Sequence, residues 1–155
     1  MAALLLAGLV LAQSPANDIS FRSETYIVSR VTLEGGATEE RYSAATSAIR
    51  GQVVEYRIFA TNTGETTLPA GQVQILAPVG EGMSFVANSA TPRSERLLTE
   101  FSVDGADYSE PPLLVGEGDS RRVADPGEYT MIRWTLLVPL EPGQELAFVY
   151  RVVVE

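Results

Sequence analysis

Apolar and polar residues alternate along much of this chain, and the period is two. Between Gln52 and Thr61 one face carries Val54, Tyr56, Ile58 and Ala60, and the other carries Glu55, Arg57 and Thr61. That alternation marks a strand with one buried face. Ile132, Trp134, Leu136 and Val138 repeat it near the C-terminus, as do Leu146, Phe148, Tyr150, Val152 and Val154. The residues predicted to fill the core are therefore Val54, Tyr56, Ile58, Ile132, Trp134, Leu136, Phe148, Tyr150 and Val152. Weaker runs fall between these strands. Ile19 to Leu33 reads as extended, and Val73, Ile75 and Ala77 share a face. Met83 to Ala87 and Leu97 to Val103 are further strands. Thr38 to Thr46 is ambiguous, because Ala44, Ala45 and Ala48 allow a helical turn.

Turn residues punctuate the pattern. They are Gly35-Gly36, Arg50-Gly51, Asn62-Thr63-Gly64, Leu68-Pro69-Ala70-Gly71 and Asp104-Gly105. Glu141-Pro142-Gly143-Gln144 reads as a hairpin loop joining the last two strands. Pro111-Pro112 suits an edge or a loop, since proline cannot donate to a central ladder. Gly116 to Gly127 reads as a polar loop. The sum is an all-β fold, a single immunoglobulin-like sandwich of about seven to nine antiparallel strands.

Residues 2–12 are nearly all apolar, about the length of a signal-peptide core and too short to span a bilayer. Val10 and Ala12 suit the small positions of a peptidase site, which places cleavage after Ala12. Residues 1–12 are thus expected to be a leader, 13–18 a polar linker and 19–155 the sandwich. The expected location is extracellular or at the cell surface. No later run is long enough for a membrane-spanning helix.

Composition narrows the chemistry. The 155 residues carry a formal net charge of -9, which disfavours nucleic acid. There is no Cys and no His, and all 11 basic residues are Arg. Disulfides, the usual zinc and copper ligands, and triads needing His or Cys are therefore absent. Lys-based Schiff-base chemistry is absent too. What remains is carboxylates, hydroxyls and Arg. A glycosidase needs two carboxylates across a cleft, and no motif places such a pair. We expect no enzyme activity, no cofactor and no metal.

Individual residues carry competing readings. Trp134 can line a sugar platform or fill the core. The core reading predicts a cost of about 3–5 kcal/mol for Trp134→Ala. Asp104 and Asp107 offer calcium too few oxygens and suit a turn. Glu117, Asp119, Asp125 and Glu128 crowd one loop, as a cation site or as a solvated acidic surface. Arg121-Arg122 can pair with a neighbouring subunit's acids or with local ones.

The run Arg50-Gly51-Gln52-Val53-Val54-Glu55-Tyr56-Arg57-Ile58, followed by Asn62-Thr63-Gly64, resembles the conserved repeat domain of prokaryotic surface proteins, the eleventh domain of unknown function. Further matches come in order at Gly82 to Val86 with Asn88-Ser89-Ala90, and at Ser102 to Tyr108. They continue at Ile132-Arg133-Trp134 and Leu140 to Gln144. The likeness runs from about Val31 to the C-terminus. Ala77-Pro78-Val79-Gly80 departs from it, where the family usually has Asp-Pro-Leu-Pro. The resemblance implies an immunoglobulin-like sandwich in envelope, surface-layer, adhesin or filament proteins, and no defined activity.

The chain ends add an expectation about assembly. Ile19, Phe21, Ile27, Val31 and Leu33 share one face of the N-terminal strand. That strand can stay in its own sheet or complete a neighbour's. The C-terminal strand is apolar almost to its end, a hazard if it forms an uncovered edge. The expected partners are other copies or envelope proteins, in a homo-oligomer or filament joined by strand complementation. No membrane insertion is expected after leader removal. The alternative is a monomeric adhesive module for glycans or envelope proteins, with Tyr108, Tyr129 or Trp134 exposed.

Overall fold

The structure is a computed structural model, and it describes residues 3–5, 11–13 and 18–155. The strands in chain order are β1 (Leu4–Leu5), β2 (Leu11–Gln13), β3 (Ile19–Thr32), β4 (Thr38–Ala44), β5 (Ser47–Ala48), β6 (Val53–Asn62) and β7 (Gln74–Pro78). They continue with β8 (Met83–Phe85), β9 (Leu97–Ser102), β10 (Leu114–Val115), β11 (Arg122–Val123), β12 (Met131–Leu136) and β13 (Glu145–Val154). Nine of them form two antiparallel sheets, one of five strands in the order β4-β3-β6-β13-β8 and one of four in the order β2-β7-β12-β9. The fold is an all-β sandwich.

The even-numbered apolar face of β6 and β13 and the matching face of β12 meet between the sheets. All nine residues predicted for the core are buried there, with Trp134, Val54, Ile132 and Val152 each 0% exposed. The aromatic rings pack at the distances expected of offset and tilted pairs. Tyr56 stacks on Tyr150 at 5.1 Å, and Trp134 lies 5.2 Å from Phe148. The polar tips are used. The Trp134 indole Nε1 donates to the Thr91 carbonyl at 3.0 Å, and the Tyr150 hydroxyl donates to the Pro78 carbonyl at 2.9 Å.

One ambiguity is resolved and one expectation is corrected. Thr38 to Ala44 is the strand β4, not a helical turn, because it pairs with β3 over seven residues. Glu141 to Gln144 does not make a hairpin of β12 and β13. Those strands lie in opposite sheets, and the turn carries the chain across the sandwich. Both strands turn an apolar face to one shared core, so alternation alone cannot say which sheet each joins. The end of the C-terminal strand is covered by its own molecule: β8 pairs with Val152 to Val154, and Ser89 and Thr91 bond the backbone of Arg151 and Val149.

The Asn62-Thr63-Gly64 turn fixes that crossing. Asn62 is 0% exposed, and its amide donates to the carbonyls of Thr66 and Leu140, both at 2.9 Å. Its Oδ1 accepts from the Gly64 amide at 3.0 Å. A Cβ on Gly64 would lie 2.7 Å from the Asp18 side chain, so only glycine fits.

The expected leader and linker fall largely outside the described residues. Within them, β1 pairs with β5, and β2 adds to the outer side of β7.

Candidate functional site

β3 does not stand apart from its own sheet. It pairs with β6 over ten residues and with β4 over seven. The five residues predicted for assembly are split by this arrangement. Ile19, Phe21 and Ile27 pack against the molecule's own core. Val31 lies beyond the end of the β6 ladder, in the part of β3 that pairs with β4, and Leu33 follows β3 in the turn, where its amide donates to the Ala37 carbonyl. This half of the hairpin overhangs the core: Ser29, Arg30, Thr32, Glu39 and Arg41 are exposed.

β4 is the outer edge of the five-stranded sheet. Its bonds to β3 use odd-numbered residues, as the flanking Leu33–Ala37 and Ala45–Thr25 bonds show. The N–H and C=O groups of Thr38, Glu40, Tyr42 and Ala44 therefore point outward. They make no bond among the described residues.

The outward face of this sheet carries a compact charge and aromatic lattice. Glu55 lies at its centre and is 3% exposed. Arg57 Nε donates to its Oε1 at 2.7 Å, and Arg151 Nε donates to its Oε2 at 2.8 Å. The other end of Arg151 clasps Glu40 through two bonds of 2.9 and 2.8 Å and donates to the Tyr42 hydroxyl at 3.0 Å. The Glu40 carboxyl is held down at about 2, first by Arg151 and then by the Tyr42 hydroxyl. Arg57 lies 4.6 Å from the centre of the Tyr26 ring and 5.0 Å from that of Tyr42. Arg22 covers Phe59 at 3.8 Å and pairs with Glu24. Arg22, Arg57 and Arg151 thus meet Glu24, Glu40 and Glu55, and the lattice is neutral. Its guanidinium groups are spent on internal partners, so it offers no ready site for an anion.

Sequence reading missed this surface. Glu55 and Arg57 sit on the polar face of β6, which alternation assigns to solvent. The signal was present in the register-dependent spacing of Arg151, Glu40 and Tyr42. It becomes legible only when β4, β6 and β13 are known to share a sheet.

The other candidates resolve into structure. Trp134 and Tyr129 are buried, and Tyr108 lies beneath Arg133 at 4.2 Å. Asp104 is a turn former. It accepts from the Ala106 and Asp107 amides and from Ser102 Oγ, and these bonds hold its carboxyl at about 2. In the acidic loop, Arg122 grips Glu128 with two bonds of 2.7 Å, and Asp125 accepts from the Gly127 amide. Arg122 is thus paired with a local acid. Among the described residues no group of three acidic side chains is placed to hold a metal ion, and no helix is long and apolar enough to cross a membrane.

No known protein family, curated protein or solved structure matches this chain.

Proposed function

We propose that the protein is a secreted structural module of the cell surface, which associates with copies of itself or with envelope proteins by β-strand pairing and performs no catalysis. One observation carries this reading: β4 is a seven-residue edge, paired without interruption to β3, whose outward N–H and C=O groups have no partner among the described residues, on a hairpin that overhangs the core. Such an edge is a template for another chain. The apolar leader supports secretion, and the resemblance to surface-protein repeat domains supports the setting. Exchange of β3 alone is disfavoured, because it would strip β4 of the strand it pairs with. An exchanging unit would be the β3–β4 hairpin.

The test uses the full chain, which keeps β2 on the outer side of β7, by size-exclusion light scattering and negative-stain electron microscopy. Oligomers or filaments are expected. Ala44→Pro should abolish them, because it deletes an outward N–H and spares the ladder to β3. A monomer at every concentration would overturn self-assembly. It would favour the second reading, a monomeric adhesive module that binds through the exposed ring of Tyr42. Tyr42 is 42% exposed, which supports that alternative.

A further inference from the structure

On the side of the sandwich away from β4, the edges of the two sheets, β8 and β9, lie next to each other and leave a cleft of about 390 Å³. Its floor is three aromatic rings in mutual contact. Phe101 lies 5.0 Å from Tyr129 and 5.2 Å from Phe85, and Phe85 lies 5.8 Å from Tyr129. Ala90 and Pro92 form part of one wall, and Pro111 part of another. An Arg93–Glu110 ion pair of 2.9 Å spans the mouth between exposed side chains.

Thr99 also lines this cleft, and its backbone is unusual. β9 bonds to β12 through even-numbered residues, as the flanking bond from Leu137 N–H to the Arg96 carbonyl shows. Leu97, Thr99 and Phe101 therefore turn their N–H and C=O groups to the outer side. Phe101 exchanges both bonds with Ser109, and Leu97 exchanges both with Ser94. Between them, the N–H and C=O of Thr99 have no partner among the described residues, although the residue is only 5% exposed.

We infer that this cleft binds an extended peptide segment bearing one large apolar side chain, placed opposite Thr99. The stereochemistry selects the ligand. In an extended chain the N–H and C=O of one residue point to the same side, so one residue of an antiparallel guest exchanges both bonds with Thr99. A trans secondary amide, such as the acetamido group of an amino sugar, points its N–H and C=O in opposite directions and satisfies only one of them. The guest residue's side chain emerges on the same face as that of Thr99, which is toward the core. There it meets Phe85, Phe101 and Tyr129. Main-chain bonds would supply attachment and the aromatic floor would supply selectivity. The inference goes beyond the proposed association through β4, and it holds for a monomer as well as for an assembly.

The test is a titration of the isotope-labelled protein, followed by amide resonances. The probe is the blocked peptide acetyl-Ala-Phe-Ala-amide. Saturable shifts are expected at Thr99, Phe101, Tyr129 and Ala90. The same peptide with an N-methylated phenylalanine lacks the donor and should bind about tenfold more weakly, the scale of one lost hydrogen bond. Acetyl-Ala-Ala-Ala-amide should lose at least as much. Absence of saturable shifts would overturn the inference, as would shifts centred on Tyr26 and Tyr42. Equal binding of the N-methylated peptide, or binding of N-acetylglucosamine in place of the peptide, would also overturn it. A light-scattering profile in the same buffer reports separately on association through β4.

Discussion

Arg151 Nε donates to Glu55 Oε2 at 2.8 Å across adjacent strands, and so holds a carboxylate that is almost wholly shielded from water. The two residues stand directly opposite each other in the β6–β13 register. A buried charge is tolerable only when its hydrogen bonds are made. Arg57 supplies the other half of the neutralisation.

Arg151→Met keeps the length and apolar stem of the side chain and removes its bonds to Glu55, Glu40 and Tyr42. Arg57 still pairs with Glu55, so the loss should be about 1.5–3 kcal/mol, the range for hydrogen bonds to a charged group. Urea unfolding followed by circular dichroism would measure it. A midpoint unchanged from the parent protein would mean that the lattice is surface decoration.

Asn62→Ala strips the Gly64 amide and the Thr66 carbonyl of their side-chain partner at a fully buried position, and leaves the Leu140 carbonyl only its bond from the Leu68 amide. Each orphaned group costs about 1–3 kcal/mol. We expect a destabilisation of about 2–4 kcal/mol by chemical denaturation, with the denaturant slope preserved. Asn62→Asp should be no better, because a carboxylate cannot donate to Leu140. If Asn62→Asp were as stable as the parent, the donor role of the amide would be disproved.

The pH dependence follows from three carboxyls. Glu40 and Glu128 are held at about 2 by arginine partners, and Asp104 at about 2 chiefly by backbone amides, against ordinary values of 4.5 for Glu and 3.8 for Asp. Each is depressed in the folded state, so each contributes stability that is complete above its ordinary value. That contribution is lost as pH falls toward 2. With 0 His in the chain, no imidazole titrates near neutrality. Thermal melts should therefore be level from about pH 8 to pH 5, then fall steadily toward about pH 2. Arg151→Met should flatten part of that fall, since Glu40 then returns toward its ordinary value. A melting temperature insensitive to acid would contradict these assignments.

Alternation made β6, β12 and β13 legible as strands and assigned Trp134, Tyr150 and Val54 to the interior. Those residues are buried whatever their sheet, because burial needs only the parity of a position. The turn at Asn62-Thr63-Gly64 was legible too, although through the side-chain bonds of Asn62 and the close approach at Gly64 and not through a positive φ. The sequence by itself therefore determined the all-β class, the buried faces and several of the turns. The tertiary structure decided which strands share a sheet, and so placed β12 and β13 on opposite sides of the core. It also brought Glu40, Glu55 and Arg151 together from three strands, and left Thr99 facing a cleft between Ser94 and Ser109. Partners of this kind are fixed by register between segments far apart in the chain, and a period of two is the same for every register that keeps the apolar face inside.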